Sequence, residues 1–349
     1  MQPHEKVIDV PESGQPQNFL CRLLNPLAAR AYAWLKGLKP GEFPGWVAIE
    51  TTSRCNLRCP ICPRDHMKRT PGDMPPQIFD AVAEELGEQD AKNALHLVVL
   101  HFFGDPLMDP NIIQRIETLG SRMPNLRKLG RLRDPMRGLS LSTNALLLSE
   151  ELVQPLLDSK LTWLGVSIDA TTETTYRRIH GAEKWDLLIS NVERLLEANA
   201  ENSSSFPTIG LQIIDAPGMQ EEIGAFRTRW EPYVQRMENV RVVVKPYQDW
   251  AGQIDGKATH SPWHFRTPCQ WLWEMLVVAS DGRVAPCCYD MDCSMSLGSI
   301  PEQSLQEIWR GSRLENLRQK MLSGDLSGLP LCQDCDNAHT PLNRLTGRR

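Results

Sequence analysis

Residues 46–62 read WVAIETTSRCNLRCPIC, a strand-like apolar run that leads directly into three cysteines. Cys55, Cys59 and Cys62 have the spacing C-x3-C-x2-C, which lets three thiolates wrap around one metal centre. Structural zinc prefers four closed ligands, whereas a cubane iron–sulfur cluster held by three cysteines leaves one iron open for an exogenous ligand. The loops that follow strands are also where β/α barrels build their active sites.

Strand-like runs alternate with helical segments from residue 46 to residue 246. The predicted strands cover residues 46–51, 96–103, 139–143, 163–169, 208–214 and 240–246. Helices are predicted between them, most clearly over 185–196, and from near Pro76, Pro110, Ser149 and Gln220. Six β/α units predict an α/β fold with a parallel sheet, either doubly wound or curved into a partial (β/α)6 barrel.

The segments on either side of this region have a different character. Residues 1–44 are predicted to form an N-terminal helical extension, which packs on the main domain or lies on a membrane surface. After Pro246 the sequence is irregular, and then it predicts a β-hairpin over 275–287 and a helix over 304–321. We therefore predict three parts, namely the extension 1–44, a barrel core 45–246 and a small C-terminal α+β domain 247–349.

Composition excludes several classes of protein. The 349 residues carry a formal net charge of −5, which argues against a general nucleic-acid-binding surface. The longest apolar stretch, residues 95–103, is too short to span a bilayer, and no apolar leader opens the sequence. Ten cysteines without a secretion signal are more typical of metal binding than of a disulfide framework, so we expect a cytoplasmic protein without a transmembrane segment.

The three-cysteine spacing after the first strand resembles the signature of the radical S-adenosylmethionine (SAM) enzymes. The resemblance extends to short polar motifs at the ends of the next three predicted strands, namely Gly104 and Asp105, then Ser142, Thr143 and Asn144, then Ser167 and Asp169. At the first of these motifs the family has Gly-Gly-Glu, which holds the SAM amino group, so Asp105 keeps the acid with a shorter reach. The resemblance implies a partial (β/α)6 barrel of the radical SAM type, in which Cys55, Cys59 and Cys62 hold a SAM-binding [4Fe–4S] cluster and the polar motifs bind SAM.

A second group of cysteines lies near the C-terminus, at positions 269, 287, 288, 293, 332 and 335. The sequence around this group, including Asp281-Gly282-Arg283, resembles the SPASM and twitch extensions of radical SAM enzymes, which carry auxiliary [4Fe–4S] clusters. Because no cysteine follows Cys335, the resemblance implies one auxiliary cluster, held by Cys269, Cys287, Cys332 and Cys335. A four-cysteine zinc site is the alternative. Cys288 and Cys293 are then either buried thiols or donors of a hydrogen atom to a substrate radical, and Cys21 has no assigned role.

The resemblance implies an enzyme that cleaves SAM to a 5′-deoxyadenosyl radical and abstracts hydrogen from a small polar substrate such as a sugar, a nucleoside or an aminocyclitol. Dehydrogenation or epimerisation in natural-product or carbohydrate biosynthesis is the favoured outcome, which makes the chain an oxidoreductase, an epimerase or a lyase. Radical decarboxylation, rearrangement and modification of a peptide are alternatives.

An external electron donor such as flavodoxin or ferredoxin is expected, and nucleic acid is not. Glu50, His101 and His180 are candidate bases, and the basic stretch 122–137 is either a solvated loop or an anion contact near the third strand. A hypothesis from another class is a non-catalytic zinc-binding or iron–sulfur protein.

Overall fold

The structure is a computed structural model that describes residues 19–132, 137–202, 204–248, 250–254, 265–333 and 335–340. Its strands are β1 (Trp46–Ile49), β2 (Leu97–Val99), β3 (Gly138–Thr143), β4 (Trp163–Ser167), β5 (Thr208–Asp215), β6 (Val240–Pro246), β7 (Phe265–Arg266), β8 (Met275–Val278), β9 (Arg283–Ala285), β10 (Gly298–Ser299) and β11 (His339–Thr340). Its α-helices are α1 (Phe19–Lys36), α2 (Pro76–Ala91), α3 (Ile112–Arg122), α4 (Pro124–Leu132), α5 (Glu150–Leu157), α6 (Glu173–His180), α7 (Trp185–Glu201), α8 (Gln220–Arg236), α9 (Leu305–Trp309), α10 (Ser312–Ser323) and α11 (Pro330–Gln333).

The main sheet of the described residues has the strand order β10-β9-β8-β1-β2-β3-β4-β5-β6. Strands β1 to β6 are the six that the sequence predicts, and each pairs in parallel with the next. Helices follow each of the first five strands, as parallel pairing requires. The predicted α/β fold with a parallel sheet is therefore confirmed.

The predicted hairpin extends this same sheet. Strand β8 pairs in parallel with β1, with Trp46 opposite Met275, and β9 returns antiparallel to β8. The local sequence pattern predicts the hairpin but gives no sign of its partner, because β1 and β8 lie far apart along the chain. The domain boundaries at 44/45 and 246/247 stay predictions.

The chain forms two compact units. The sheet unit comprises residues 39–247 and 270–317, and the second unit comprises residues 1–38, 248–269 and 318–349. In the second unit β7 pairs antiparallel with β11, and α1 contacts β7. There the Arg266 N–H donates to Asn25 Oδ1 of α1 at 3.1 Å.

The pairing register divides the sheet into an outer and an inner face, because partners on neighbouring strands share a face. The outer face is apolar and buried, and it carries Val47, Val98, Leu141, Leu164 and Leu211. The inner face has two halves. Its apolar half is a packed cluster on β1, β2, β8 and β9 that includes Ala48, Val99, Met275, Val277 and Ala285. Its polar half, on β3 to β6, carries Ser142, Gly165, Ser167, Gln212 and Lys245.

Two sequence predictions are corrected by the structure. The helix predicted over 304–321 is two helices, α9 and α10, because α9 ends at Trp309 and a new helix begins after Gly311. The basic stretch contains α4 rather than a solvated loop, and Arg127 Nε donates to the Lys160 carbonyl at 3.2 Å. Helix α4 precedes the amino end of β3, and the predicted anion contact near the third strand stays a prediction. Residues 133–136 of the stretch lie outside the described residues.

In the described part of the chain, no helix is both long enough and apolar enough to cross a membrane.

Candidate active site

The three cysteines of the C-x3-C-x2-C motif lie in the loop that leaves β1. The base of this loop is closed, because the Arg64 guanidinium donates to the Ser53 carbonyl at 3.1 and 3.2 Å. Burial, and then the neighbouring thiolates of Cys62 and Cys55, raise the pKa of Cys59 above its usual value. The loop therefore brings the three thiols close enough for their charges to interact.

The chemistry of this loop suits a cofactor that brings positive charge. Burial raises the pKa of Cys55, and it raises the pKa of Cys62 to about 11. The N–H groups of Leu57 and Arg64 donate to these two sulfurs, and these hydrogen bonds lower the two pKa values by less than burial raises them. Bound iron supplies the charge that stabilises such thiolates, and ligation releases their protons. Within the described ranges, no three His, Cys, Asp or Glu side chains converge to hold a single metal ion.

Cys59 lies beside buried polar atoms that lack partners. His180 Nδ1 is 3.3 Å from the Cys59 sulfur, and His180 Nε2 is 3.4 Å from Asp169 Oδ2. In the described structure, Asp169 Oδ1, His180 Nε2 and the Tyr176 hydroxyl are buried without a hydrogen-bond partner. Because buried polar atoms are normally hydrogen-bonded, this group fits a polar ligand that the protein itself does not supply.

The end of α6 positions His180. Gly181 follows the helix with a left-handed backbone (φ 67°), which is typical of a helix C-terminus. A Cβ at Gly181 would lie 3.0 Å from the Arg58 carbonyl oxygen, so the helix end is packed against the cysteine loop. This contact fixes His180 beside Cys59.

Gly104 lets the loop after β2 pack directly on the cysteine loop. A Cβ on Gly104 would lie 2.0 Å from the Thr52 carbonyl oxygen, a distance that no side chain tolerates. The N–H of the next residue, Asp105, donates to the Arg54 carbonyl at 2.9 Å. Gly104 is thus required by packing, and its role in binding SAM stays a prediction.

The Asp105 carboxylate connects the ends of β2 and β3. It accepts hydrogen bonds from the Thr143 hydroxyl at 2.9 Å and from the Asn144 N–H at 2.8 Å, while burial raises its pKa. The Asn144 side-chain amide donates to Asn56 Oδ1 at 2.7 Å and lies 3.8 Å from the Cys55 sulfur. The structure therefore brings Asp105, Thr143 and Asn144 together next to the first cysteine of the motif.

Ser142 and Ser167 lie on the polar half of the inner face. The Ser142 N–H donates to His101 Nδ1 at 3.2 Å, and the Ser167 hydroxyl donates to Gln212 Oε1 at 3.2 Å. A Cβ on Gly165 would lie 2.4 Å from Ser142 Oγ and 2.3 Å from Gln212 Nε2. Gly165 therefore leaves the room that these two polar side chains occupy.

Lys245 lies at the carboxyl end of the polar half of the inner face, and the sequence alone did not single it out. It pairs in register with Ile214, which places it on the same face of the sheet as Gln212. Burial lowers the pKa of Lys245, and Asp169 opposes this shift. Burial, with a further contribution from Lys245, lowers the pKa of His101 to about 3, so His101 is a neutral acceptor rather than an effective base.

Glu50 is engaged in the protein interior and is not available as a base. Its carboxylate forms a buried ion pair with Arg69 and accepts N–H groups from Phe103 at 3.3 Å and Ser280 at 2.9 Å. These contacts join the carboxyl ends of β1, β2 and β8. The candidate role of Glu50 as a base is therefore wrong.

Arg69 also joins the first cysteine loop to the loop that contains Cys287. Its Nε donates to the Met291 carbonyl. The N–H groups of Lys68 and Arg69 both donate to Asp292 Oδ1, at 2.7 and 3.1 Å. We call this set of contacts the Arg69 clamp.

The four cysteines predicted to hold the auxiliary cluster divide between the two compact units. Cys269, Cys332 and Cys335 belong to the second unit, whereas Cys287 follows β9 in the sheet unit. Within the second unit, the Thr267 N–H donates to the Ala338 carbonyl at 3.0 Å, which brings the chain near Cys269 next to the chain near Cys335. The role of the four cysteines as a ligand set stays a prediction.

The remaining cysteines differ in their surroundings. Cys293 is 4% exposed in the apolar half of the inner face, and burial raises its pKa to about 12. Cys288 is partly buried and packs against the same cluster. Cys21 lies in α1, but its side chain is outside the described part. The hydrogen-donor roles of Cys288 and Cys293 stay predictions.

Comparisons with known proteins agree with this geometry. The model of the radical SAM superfamily matches residues 49–217, and the model of SPASM, an iron–sulfur cluster-binding domain, matches residues 269–336. A curated relative from Niallia circulans, an S-adenosyl-L-methionine-dependent 2-deoxy-scyllo-inosamine dehydrogenase, is 22% identical over 83% of this chain and 92% of its own length. A probable GTP 3′,8-cyclase from Methanothermobacter marburgensis is 28% identical over 44% of each chain.

Solved structures share the fold. BtrN in complex with AdoMet and 2-DOIA is 20% identical with a TM-score of 0.53, over 84% of this chain and 92% of its own. Streptococcus suis SuiB bound to the precursor peptide SuiA is 14% identical with a TM-score of 0.58, over 97% and 78% of the two chains. The predicted partial barrel with a C-terminal iron–sulfur domain is confirmed. The chain therefore belongs to the radical SAM superfamily, as an enzyme with a SPASM domain whose cofactors are SAM, a [4Fe–4S] cluster and an auxiliary iron–sulfur cluster.

Proposed function

We propose that this enzyme oxidises a secondary alcohol of a small polar substrate, such as a sugar, a nucleoside or an aminocyclitol, to a ketone. The observation that carries the proposal is the polar half of the inner face, where Gln212 and Lys245 share a face with the candidate SAM-binding residues Ser142 and Ser167. A ring bearing hydroxyl or amino groups offers the donors and acceptors that match such a surface. The reaction would serve natural-product or carbohydrate biosynthesis.

In the proposed enzyme, two sets of cysteines hold the iron–sulfur clusters and a set of polar residues binds SAM. Cys55, Cys59 and Cys62 ligate the SAM-binding cluster, and Cys269, Cys287, Cys332 and Cys335 hold one auxiliary [4Fe–4S] cluster. SAM is bound by Gly104, Asp105, Ser142, Thr143, Asn144, Ser167 and Asp169. A flavodoxin or ferredoxin is the proposed external electron donor, and the cytoplasm stays the predicted location.

The oxidation removes one hydrogen atom, one proton and one electron from the alcohol. When bound, the cofactors supply a 5′-deoxyadenosyl radical that takes the carbinol hydrogen atom and an iron–sulfur centre that accepts the electron. The C–H and O–H bonds break as the C=O bond forms, so the hydroxyl proton needs a base in the protein.

Lys245 is our candidate for this base. A half-buried lysine whose pKa is lowered holds more neutral amine near neutral pH, and that amine accepts a proton. Of the groups that face it, Asp169 favours the ammonium form and His101 has too low a pKa to compete for the proton.

The named relatives are consistent with this choice and with one alternative. The Niallia circulans protein is named as a dehydrogenase of 2-deoxy-scyllo-inosamine, and BtrN was crystallised with 2-DOIA. SuiB was crystallised with a precursor peptide, which keeps peptide modification as the alternative.

Deuterium transfer tests the proposed function. The anaerobically reconstituted enzyme is incubated with SAM, a reductant and alcohols deuterated at the carbinol carbon, in parallel with candidate peptides. We expect label in 5′-deoxyadenosine and about one ketone per SAM consumed with a small alcohol. Label transfer from peptides alone would show that the substrate class is wrong. A C55A/C59A/C62A variant is the control and should form no deoxyadenosine.

Variants of Lys245 separate hydrogen abstraction from proton removal. With K245M, we expect deuterium to reach deoxyadenosine while ketone formation falls by ~100-fold or more, the usual contribution of a general base. Ketone formation by the natural enzyme should rise with pH through the lowered pKa of Lys245, whereas K245R should be inactive across that range. Equal ketone yields from K245M and the natural enzyme would contradict the assignment.

Epimerisation is a second candidate, favoured by the partly exposed thiol of Cys288 on the inner face. In this reaction a thiol returns hydrogen to the opposite face of the substrate radical, and no electron is removed from the substrate. The reaction in D2O distinguishes the two, because epimerisation places solvent deuterium on the substrate carbon and oxidation yields the ketone. Under the dehydrogenase proposal, C288A retains ketone formation.

A further inference from the structure

The His180 imidazole lies between the sulfur of Cys59 and the carboxylate of Asp169. Its Nδ1 is 3.3 Å from Cys59 Sγ, and its Nε2 is 3.4 Å from Asp169 Oδ2. His180 is 4% exposed and Asp169 is 5% exposed, so little solvent reaches either contact. A nitrogen of a buried ring therefore faces the sulfur of a cysteine that is predicted to ligate the SAM-binding cluster.

The two distances indicate which ring nitrogen is the donor. The atoms of an N–H···O hydrogen bond are ~2.7–3.2 Å apart. The separation of His180 Nε2 from Asp169 is longer than this, and within the described residues Nε2 has no hydrogen-bond partner. Iron ligation removes the proton of a cysteine thiol, so a ligated Cys59 sulfur only accepts. The hydrogen bond between the two groups is then donated by His180 Nδ1–H.

The neighbours of His180 on α6 hold the ring in this orientation. The Tyr176 ring, one helical turn earlier, packs against it with the ring centroids 4.7 Å apart. On the other side of His180, Gly181 packs the end of α6 against the Arg58 carbonyl of the cysteine loop. Because Tyr176 is fully buried, the ring of His180 has little room to turn away from Cys59.

We propose that His180 is a positioning residue that raises the reduction potential of the SAM-binding cluster through an Nδ1–H···Sγ hydrogen bond to Cys59. Reduction adds to the cluster one electron, taken from the external donor, and breaks no bond at Cys59. The added negative charge strengthens a hydrogen bond to the ligand sulfur, so the donor stabilises the reduced form more than the oxidised form. This inference rests on the proposed ligation of the cluster by Cys55, Cys59 and Cys62.

The midpoint potential of the SAM-binding cluster tests the proposal. The full protein is reconstituted anaerobically, and the reduced cluster is followed by electron paramagnetic resonance during a redox titration. Addition of SAM identifies the signal of the cluster with the open iron. At a given potential we expect H180F to hold ~10-fold less reduced cluster, which for one electron is a midpoint ~59 mV lower. An unchanged midpoint in H180F would overturn the proposal.

A second variant, H180N, separates hydrogen bonding from packing. Its amide N–H replaces Nδ1–H, but it has no ring to pack against Tyr176, so we expect a midpoint close to that of the natural protein. If the ring served only for packing, H180F would have the milder effect, and this reversed order would contradict the proposal. The matched control is H66F, at an exposed histidine of the same loop, which should leave the midpoint unchanged.

The contact is also measured without relying on H180F. In the reduced natural protein containing ¹⁵N-labelled histidine, we expect a weak magnetic coupling between the cluster and a histidine nitrogen, which H180N should lack. Absence of this coupling from the natural protein would show that His180 does not donate to a cluster ligand.

Iron content distinguishes failure of this inference from failure of the proposed ligation. C55A/C59A/C62A should lose about four irons per chain, whereas H180F should keep them. If the triple variant keeps its iron, the proposed ligation is wrong and the inference falls with it. If the triple variant loses its iron while H180F has an unchanged midpoint, only the role of His180 is wrong.

Discussion

The two halves of the inner face share one sheet and one register but differ in their side chains. On β1, β2, β8 and β9 the face is a packed apolar cluster, and the Glu50–Arg69 pair lies at its carboxyl end. On β3 to β6 the same face carries hydroxyls, an amide and the ammonium of Lys245. The comparison teaches that the cysteine loop is anchored on the apolar half, while the groups that we propose to bind and deprotonate a substrate lie on the polar half.

Breaking the Arg69 clamp should have the largest effect on the free energy of unfolding. R69M leaves the Glu50 carboxylate buried without its partner, and such changes cost ~3–5 kcal/mol of the free energy of unfolding. The matched control is R54M, whose ion pair with Asp73 is 43% and 35% exposed and should contribute less than ~1 kcal/mol. Urea unfolding of both variants measures the difference. Similar losses of unfolding free energy in R69M and R54M would show that the apolar half does not anchor the cysteine loop.

Adding a methyl group to the polar half of the inner face should have an intermediate effect on the free energy of unfolding. The new methyl group of G165A meets Ser142 Oγ and Gln212 Nε2, and overpacking of this kind costs ~1–3 kcal/mol. The companion variant G165A/S142G removes the serine side chain, which should recover part of the loss, because the contact with Gln212 Nε2 at 2.3 Å remains. If G165A unfolds at the same urea concentration as the natural protein, the polar half is looser than the structure indicates.

Removing the charge of Lys245 should have the smallest effect on stability, and of the opposite sign. Because burial lowers the pKa of Lys245, its ammonium destabilises the folded state. This penalty is complete below the lowered pKa and disappears as pH rises toward the unfolded-state value of ~10.4. K245M should therefore unfold at higher urea concentration than the natural protein at pH 7, and the gain should shrink by pH 10. A constant gain at both pH values would point to packing rather than charge.

The sequence was sufficient for features that depend on local patterns. Alternating apolar runs located β1 to β6, and the spacing of Cys55, Cys59 and Cys62 located the cysteine loop. Helix α8 begins at Gln220 as predicted, and α2 at Pro76. These features are encoded within a few residues, so they can be read without knowing the fold.

Features that depend on distant partners could not be predicted. Nothing in the sequence near Glu50 indicates that its carboxylate pairs with Arg69. Nor does the sequence indicate that Asp292 accepts hydrogen bonds from the backbone N–H groups of Lys68 and Arg69. Lys245 had one local signal, a charge directly after three valines in a strand, but only the register shows that it lies on the face of Gln212. The α4 helix was hidden by its charges, which resemble those of a solvated loop.

The pairing of β8 with β1 has a consequence for synthesis on the ribosome. Strand β1 is made early, yet the strand that covers its free edge is residues 275–278, near the C-terminal end of the sheet unit. A nascent chain that ends before β8 has an open, apolar parallel edge, which is a template for pairing with other chains. Chaperone protection of this edge is therefore most important during translation of the last third of the protein.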